Sequence, residues 1–145
     1  MLHTMAKNDI TFDLNKSIKL EGDSGPYVQY AVARINSILK KISIKNDFQK
    51  NFNYKDFNEH DWNLLKKIQY FPYHLNRCAQ ELTAHYLTHY LLQLVSNFST
   101  WYEKNSVQKA ATEDLKQARI NLLLFLKHTL KRGLFLLGIK TIEKM

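Results

Sequence analysis

Residues that break helices are scarce in this chain. Four glycines and two prolines are spread over 145 positions, about a third of average usage. That leaves too few turn formers for a sandwich or barrel of short strands. The apolar positions instead recur at three- and four-residue intervals, most plainly in Leu87, Leu91, Leu94, Val95 and Phe98. Hydrophobic residues make up 45% of the chain, enough for one compact core and too little for two.

The punctuation predicts the elements. Ile10 to Leu14 alternates apolar and polar side chains and reads as a short extended piece. Glu21-Gly22-Asp23-Ser24-Gly25-Pro26 is a turn cluster ending in a Ser or Asp cap with Pro in the first turn, which predicts a helix over about 26–42. Residues 43–57, polar with scattered aromatics, read as a connecting loop. A second helix fits Asn58 to Tyr70, with Trp62, Leu65 and Ile68 at core-facing spacing. Pro72 can occupy the first turn of a third helix running to about Leu82, and Thr83 can cap a fourth. Asn105 and Ser106 interrupt the pattern; from Thr112 a long helix runs to Gly138, a glycine placed to close it in the left-handed conformation. The expected fold is all-α, an antiparallel bundle of about five helices with a short extended N-terminal strap.

Charge narrows the partner. The net charge is +8, and residues 104–145 hold nine basic against three acidic side chains. A basic C-terminal helix attracts polyanions by counterion release, so nucleic acid is the first partner to consider. Cys78 is the one cysteine, which excludes a disulfide framework and suits a reducing, cytoplasmic setting. Apolar runs such as Leu134 to Leu137 fall far short of a membrane span, and residues 1–15 lack the apolar stretch of a signal peptide.

Catalytic chemistry is harder to find. His85 and His89 stand one turn apart, a metal-ligand spacing, but Tyr86 sits where a zinc protease needs its base. A third ligand could come only from His74 or Cys78, with no motif behind either. No glycine-rich phosphate loop occurs, and no acid/base pair of carboxylates is suggested. No catalytic residue and no metal are expected. The first helix is more informative: Tyr27, Tyr30 and Arg34 follow i, i+3, i+7, within a sector of about 60° on one face. Aromatic rings stack on unpaired bases, and arginine offers a planar donor fork. Tyrosines on an amphipathic helix also serve as core with the hydroxyl at the rim. Phe98, Trp101 and Tyr102 form a second aromatic cluster, open to the same two readings.

The residues also resemble a known family. Phe12-Asp13-Leu14, followed by Gly25-Pro26-Tyr27-Val28-Gln29-Tyr30-Ala31-Val32-Ala33-Arg34-Ile35, is similar to the signature that enters the C-terminal domain of arginyl-tRNA synthetases. Asn97 to Tyr102 resembles that family's aromatic helix end, and Ala118-Arg119-Ile120 its "A-R-L". Arg132 to Ile139, closing on Met145, resembles its "G-L-x-L-L-G-I … M" ending. Two departures stand out: Val32 replaces a usual His, removing any polar contact from that position, and Ala84 replaces a frequent Pro, which predicts a straighter join before the fourth helix.

The resemblance implies a DALR-type anticodon-binding helical domain over 21–145, with residues 1–20 as the tail of a catalytic module or the strap that joins it. It implies anticodon contacts from Tyr27, Tyr30, Arg34, Phe98, Tyr102 and Met145, and weaker phosphate or loop contacts from Trp101 and Arg119. The partner would be tRNA(Arg), together with the catalytic domain of the same enzyme, an ATP-dependent class I arginine–tRNA ligase. That catalytic half's "H-I-G-H"-like and "K-M-S-K-S"-like motifs do not occur in this sequence. The chain is therefore expected to be the C-terminal portion of such an enzyme, monomeric and cytoplasmic, with no cofactor of its own and ATP bound elsewhere. A helical protein-interaction module built on the same fold is the alternative.

Overall fold

The computed structural model describes residues 24–42 and 53–141. They form α1 (Gly25–Lys41), α2 (Glu59–Gln69), α3 (Phe71–Glu81), α4 (His85–Lys104) and α5 (Glu113–Leu136), with no strand among the described residues. The strap and the extended piece expected in 1–20 lie outside the described residues, as does Met145.

Each helix begins where its cap allows. Ser24 Oγ accepts from the Tyr27 amide at 3.4 Å, and Pro26 occupies the first turn of α1, where its missing N–H costs nothing. Asn58 and Asp61 form a reciprocal capping box on α2: Asn58 Oδ1 accepts from the Asp61 amide at 3.0 Å, and Asp61 Oδ2 from the Asn58 amide at 3.1 Å. Thr112 Oγ1 accepts from the Leu115 amide at 3.1 Å and starts α5. At its other end, Gly138 adopts φ 72°; its amide donates to Phe135 O at 3.0 Å and the Ile139 amide to Leu134 O at 2.9 Å. This is the Schellman closure that the glycine predicts.

Two expectations need amending. The second and third helices are not joined by a loop, since Tyr70 ends α2 and begins α3. Pro72 has no N–H, and its ring would collide with the carbonyl four residues earlier, so the helix bends instead of continuing. Carbonyls freed by the bend are recovered by Tyr90 of α4, whose Oη donates to Lys67 O at 2.9 Å and lies 3.2 Å from Ile68 O. Nor does Ala84 straighten the next join. The chain turns at Leu82, which takes the left-handed conformation at φ 49°, and Thr83 Oγ1 then accepts from the His85 amide at 3.4 Å.

The core lies between α1, α4 and α5, with α2 and α3 laid against it. Ile35, Leu91, Leu94, Ile120, Leu126 and Leu130 are fully buried there. On α2 the buried positions are Asp61, Leu64 and Ile68. Trp62 sits to the side, partly exposed and edge-on to Tyr54 and Phe57. Gly133 lets α5 approach α4: a Cβ there would stand 2.5 Å from Leu91 Cδ2.

Candidate nucleic-acid interface

The exposed face of α1 and the end of α4 meet. Arg34 lies over the Tyr102 ring, its guanidinium carbon 4.9 Å from the ring centroid, a cation–π contact. Tyr30, one turn earlier, is 42% exposed. Tyr27 is half-buried and packs against the core with its neighbours. Two clusters that are separate in the sequence are therefore one surface: the Arg34 guanidinium over the Tyr102 ring, and one turn before Arg34 the ring of Tyr30 open to solvent.

Phe98 belongs beneath this surface. It is 1% exposed, with its ring 6.0 Å from Tyr102 and tilted by 41°. The expectation of a direct base contact is thus corrected to support of the Tyr102 ring from below.

Trp101 and Arg119 are also corrected. Both are buried, at 2% and 6% exposure, in a polar network built on Asp61. Arg119 donates from Nε and Nη2 to the two Asp61 oxygens at 3.1 and 3.0 Å, from Nη2 to Asn105 Oδ1 at 2.8 Å, and from Nη1 to Ser106 O at 3.1 Å. Trp101 Nε1 donates to Asp61 Oδ1 at 2.8 Å, and Asn58 Nδ2 to Asn105 Oδ1 at 2.7 Å. With its fork turned inward, Arg119 has no face for a phosphate. What it does is tie α2, the end of α4 and the following turn to α5, and so hold Tyr102 where Arg34 meets it. The sequence marked Asn58 and Asn105 only as helix boundaries and did not single out Asp61. The available signals were the Asn58-x-x-Asp61 cap spacing and a lone arginine before the apolar run of α5.

The remaining candidates have structural places. Val32 packs in the core at 1% exposure, so the site loses no contact from that face by having valine there. The His85 and His89 rings are stacked, 6.1 Å apart, and His89 Nε2 lies 2.9 Å from Gln93 Nε2. Among the described residues no group of three His, Cys, Asp or Glu side chains could hold a metal ion. Cys78 is half-buried against the core. No helix among the described residues is long and apolar enough to cross a membrane. Beyond Gly138 the chain turns back to α1, where Gln29 Nε2 donates to Lys140 O at 2.6 Å.

This bundle is the all-helical domain found in arginyl-tRNA synthetases. It superposes on the Thermus thermophilus arginyl-tRNA synthetase with a TM-score of 0.89 at 32% identity, covering 99% of this chain and 25% of that one. Against the Plasmodium falciparum arginyl-tRNA synthetase the TM-score is 0.86 at 26% identity, covering 99% and 25%. The chain belongs to the DALR anticodon binding domain family, whose profile matches residues 28–145. Its curated relatives include the arginine–tRNA ligases of Halobacterium salinarum, 39% identical over 148 residues, and Haemophilus influenzae, 38% identical over 139 residues. These alignments cover 100% and 94% of this chain but only 22% and 24% of the relatives.

Proposed function

We propose that this chain reads the anticodon loop of tRNA(Arg) on behalf of an arginine–tRNA ligase whose ATP-dependent chemistry lies in a separate catalytic domain. The observation that carries the reading is Arg34 stacked on Tyr102 beside the exposed ring of Tyr30. Unpaired loop bases stack on such planar groups, and the guanidinium edge can meet a base edge or a phosphate. Tyr27 and Phe98 back the surface. Lys131, Arg132 and Lys140 supply positive charge for phosphates, which fix orientation without reading sequence.

Met145, which lies outside the described residues, is included in the reader on its resemblance to the family's terminal Met alone. The domain acts as a cytoplasmic monomer alongside its catalytic partner and does no chemistry itself.

The test is a gel shift with tRNA(Arg) and a non-cognate tRNA at two salt concentrations, using wild type and Tyr30→Ala. Cognate preference, a steep loss of affinity with salt and weaker binding by the variant are expected. Binding that ignores salt, or no tRNA binding beside capture of a protein partner, would favour an interaction module instead.

A further inference from the structure

Past the end of α5 the chain is laid back on α1, gripped there by Gln29, the residue before Tyr30. We propose that Gln29 is a positioning residue for RNA: by holding the returning chain it sets Lys140 where the ammonium meets a backbone phosphate. This rests on the anticodon reading above and adds to it the residue that assembles one of the phosphate contacts.

A lysine beyond a helix end is ordinarily a poor contact. Its backbone frays and its four-carbon stem is flexible, so the charge has no fixed place. Three anchors remove the backbone freedom here. Gly138 turns the chain at φ 72°, a conformation that a Cβ would oppose, and the Ile139 amide donates to Leu134 O at 2.9 Å. The half-buried Ile139 side chain packs against the core and reaches the start of α1, its Cδ1 3.9 Å from where a Cβ on Gly25 would stand. Last, Gln29 Nε2 donates to Lys140 O at 2.6 Å, across 111 positions of sequence. Only this third anchor grips the residue that carries the charge.

The surroundings suit an anion. Lys140 and Lys131 line one cleft of about 550 Å³, with Phe135, Gly138, Ile139 and Thr141. No acidic residue occurs between Leu115 and Ile142. The Lys140 side chain is exposed and makes no hydrogen bond or ion pair with another described residue. An ammonium is a point charge without the planar fork that reads a base edge, so the contact it makes is to backbone.

Gln29 is neutral, and that supplies a signature. Removing an uncharged side chain does not itself change how many counterions RNA releases on binding. It changes that number only by unseating a cation that Gln29 had placed.

The test follows, by fluorescence anisotropy over a range of salt, binding of a hairpin carrying the tRNA(Arg) anticodon loop. The full chain is compared as wild type, Gln29→Leu, Lys140→Ala and the double variant. Each neutralised phosphate contributes about 0.7–0.9 to the slope of log affinity against log salt. Lys140→Ala should lower the slope by about that amount, and affinity roughly fivefold at 0.1 M salt. Gln29→Leu should do the same although Lys140 is still present, and the double variant should lose no more than Lys140→Ala alone. Melting temperature should hold throughout, because neither side chain is buried. A slope unchanged by Gln29→Leu, or additive losses in the double variant, would overturn the positioning role. A slope unchanged by Lys140→Ala would overturn the phosphate contact itself. In each case a hairpin still weakened by Tyr30→Ala leaves the anticodon reading standing, whereas affinity indifferent to Tyr30→Ala would overturn both.

Discussion

Arg34 and Arg119 carry the same charge to opposite ends. Arg34 lies over an aromatic ring, half-buried at the surface; Arg119 spends its donors on Asp61, Asn105 and Ser106 inside the bundle. Removing one partner of a buried pair strands the other charge, so Arg119→Ala should destabilise the chain by ~3–5 kcal/mol. Urea denaturation would show it as a lower midpoint. Arg119→Lys should recover only part of the loss, because an ammonium cannot reproduce the fork. Tyr30→Ala should behave in the opposite way: tRNA binding weakens by ~1–3 kcal/mol through lost stacking, while Tm holds. A Tyr30→Ala variant that melts many degrees lower and binds normally once folded would return Tyr30 to the core. The sequence made Tyr30 and Arg34 visible because helical spacing alone puts them on one face. It could not show that Tyr102 meets them, which depends on how α1 and α4 pack. Arg119 was misread because an isolated arginine on a basic helix looks the same whether it faces solvent or a buried carboxylate 58 positions away in the chain.

At the scale of elements, caps and breaks were legible and faces were not always so. Ser24, Thr112 and Gly138 act as their residue types require, since capping is local chemistry. The buried face of α2 was obscured because its first member is the charged Asp61, and Trp62 drew the expected stripe round by one position. Packing between helices yields two predictions. Gly133→Ala would put a methyl 2.5 Å from a Leu91 methyl in the seam between α4 and α5. Such overpacking costs about 1–3 kcal/mol, seen as a fall in Tm with the helical content retained. The second concerns His74 on α3, stacked 4.6 Å from Tyr90 of α4. Burial lowers its pKa below the ordinary 6.5, helped by Arg77, His89 and Lys67 nearby. The unfolded chain therefore binds the proton more readily, and the contribution is intact above pH 6.5 and is lost as pH falls below it toward the depressed folded value. Tm should decline over that acid range, and His74→Phe, which keeps the stacked ring, should flatten the decline. An identical acid profile in the variant would assign the decline to other groups.

For the whole molecule, charge and shape divide the work. A net charge of +8 draws any RNA, whereas discrimination needs placed groups. Deleting Lys144-Met145 should therefore lower the ratio of cognate to non-cognate tRNA affinity while leaving Tm and most non-specific binding in place. Chain ends ordinarily carry few contacts, so an unchanged ratio would make Met145 a tail. The fold class and family were legible because helix breakers are few and four separated stretches resemble one domain in the same order. The internal bracing was not, because it is written in polar residues that resemble surface ones. That bracing also bears on how such a domain can change through descent. Asp61 and Arg119 stand 58 positions apart and are bound as one unit, with Trp101 and Asn105 attached to it. A lineage that alters either charge first must pass through an ancestor with a stranded ion, so the two sites are expected to drift together, in paired steps.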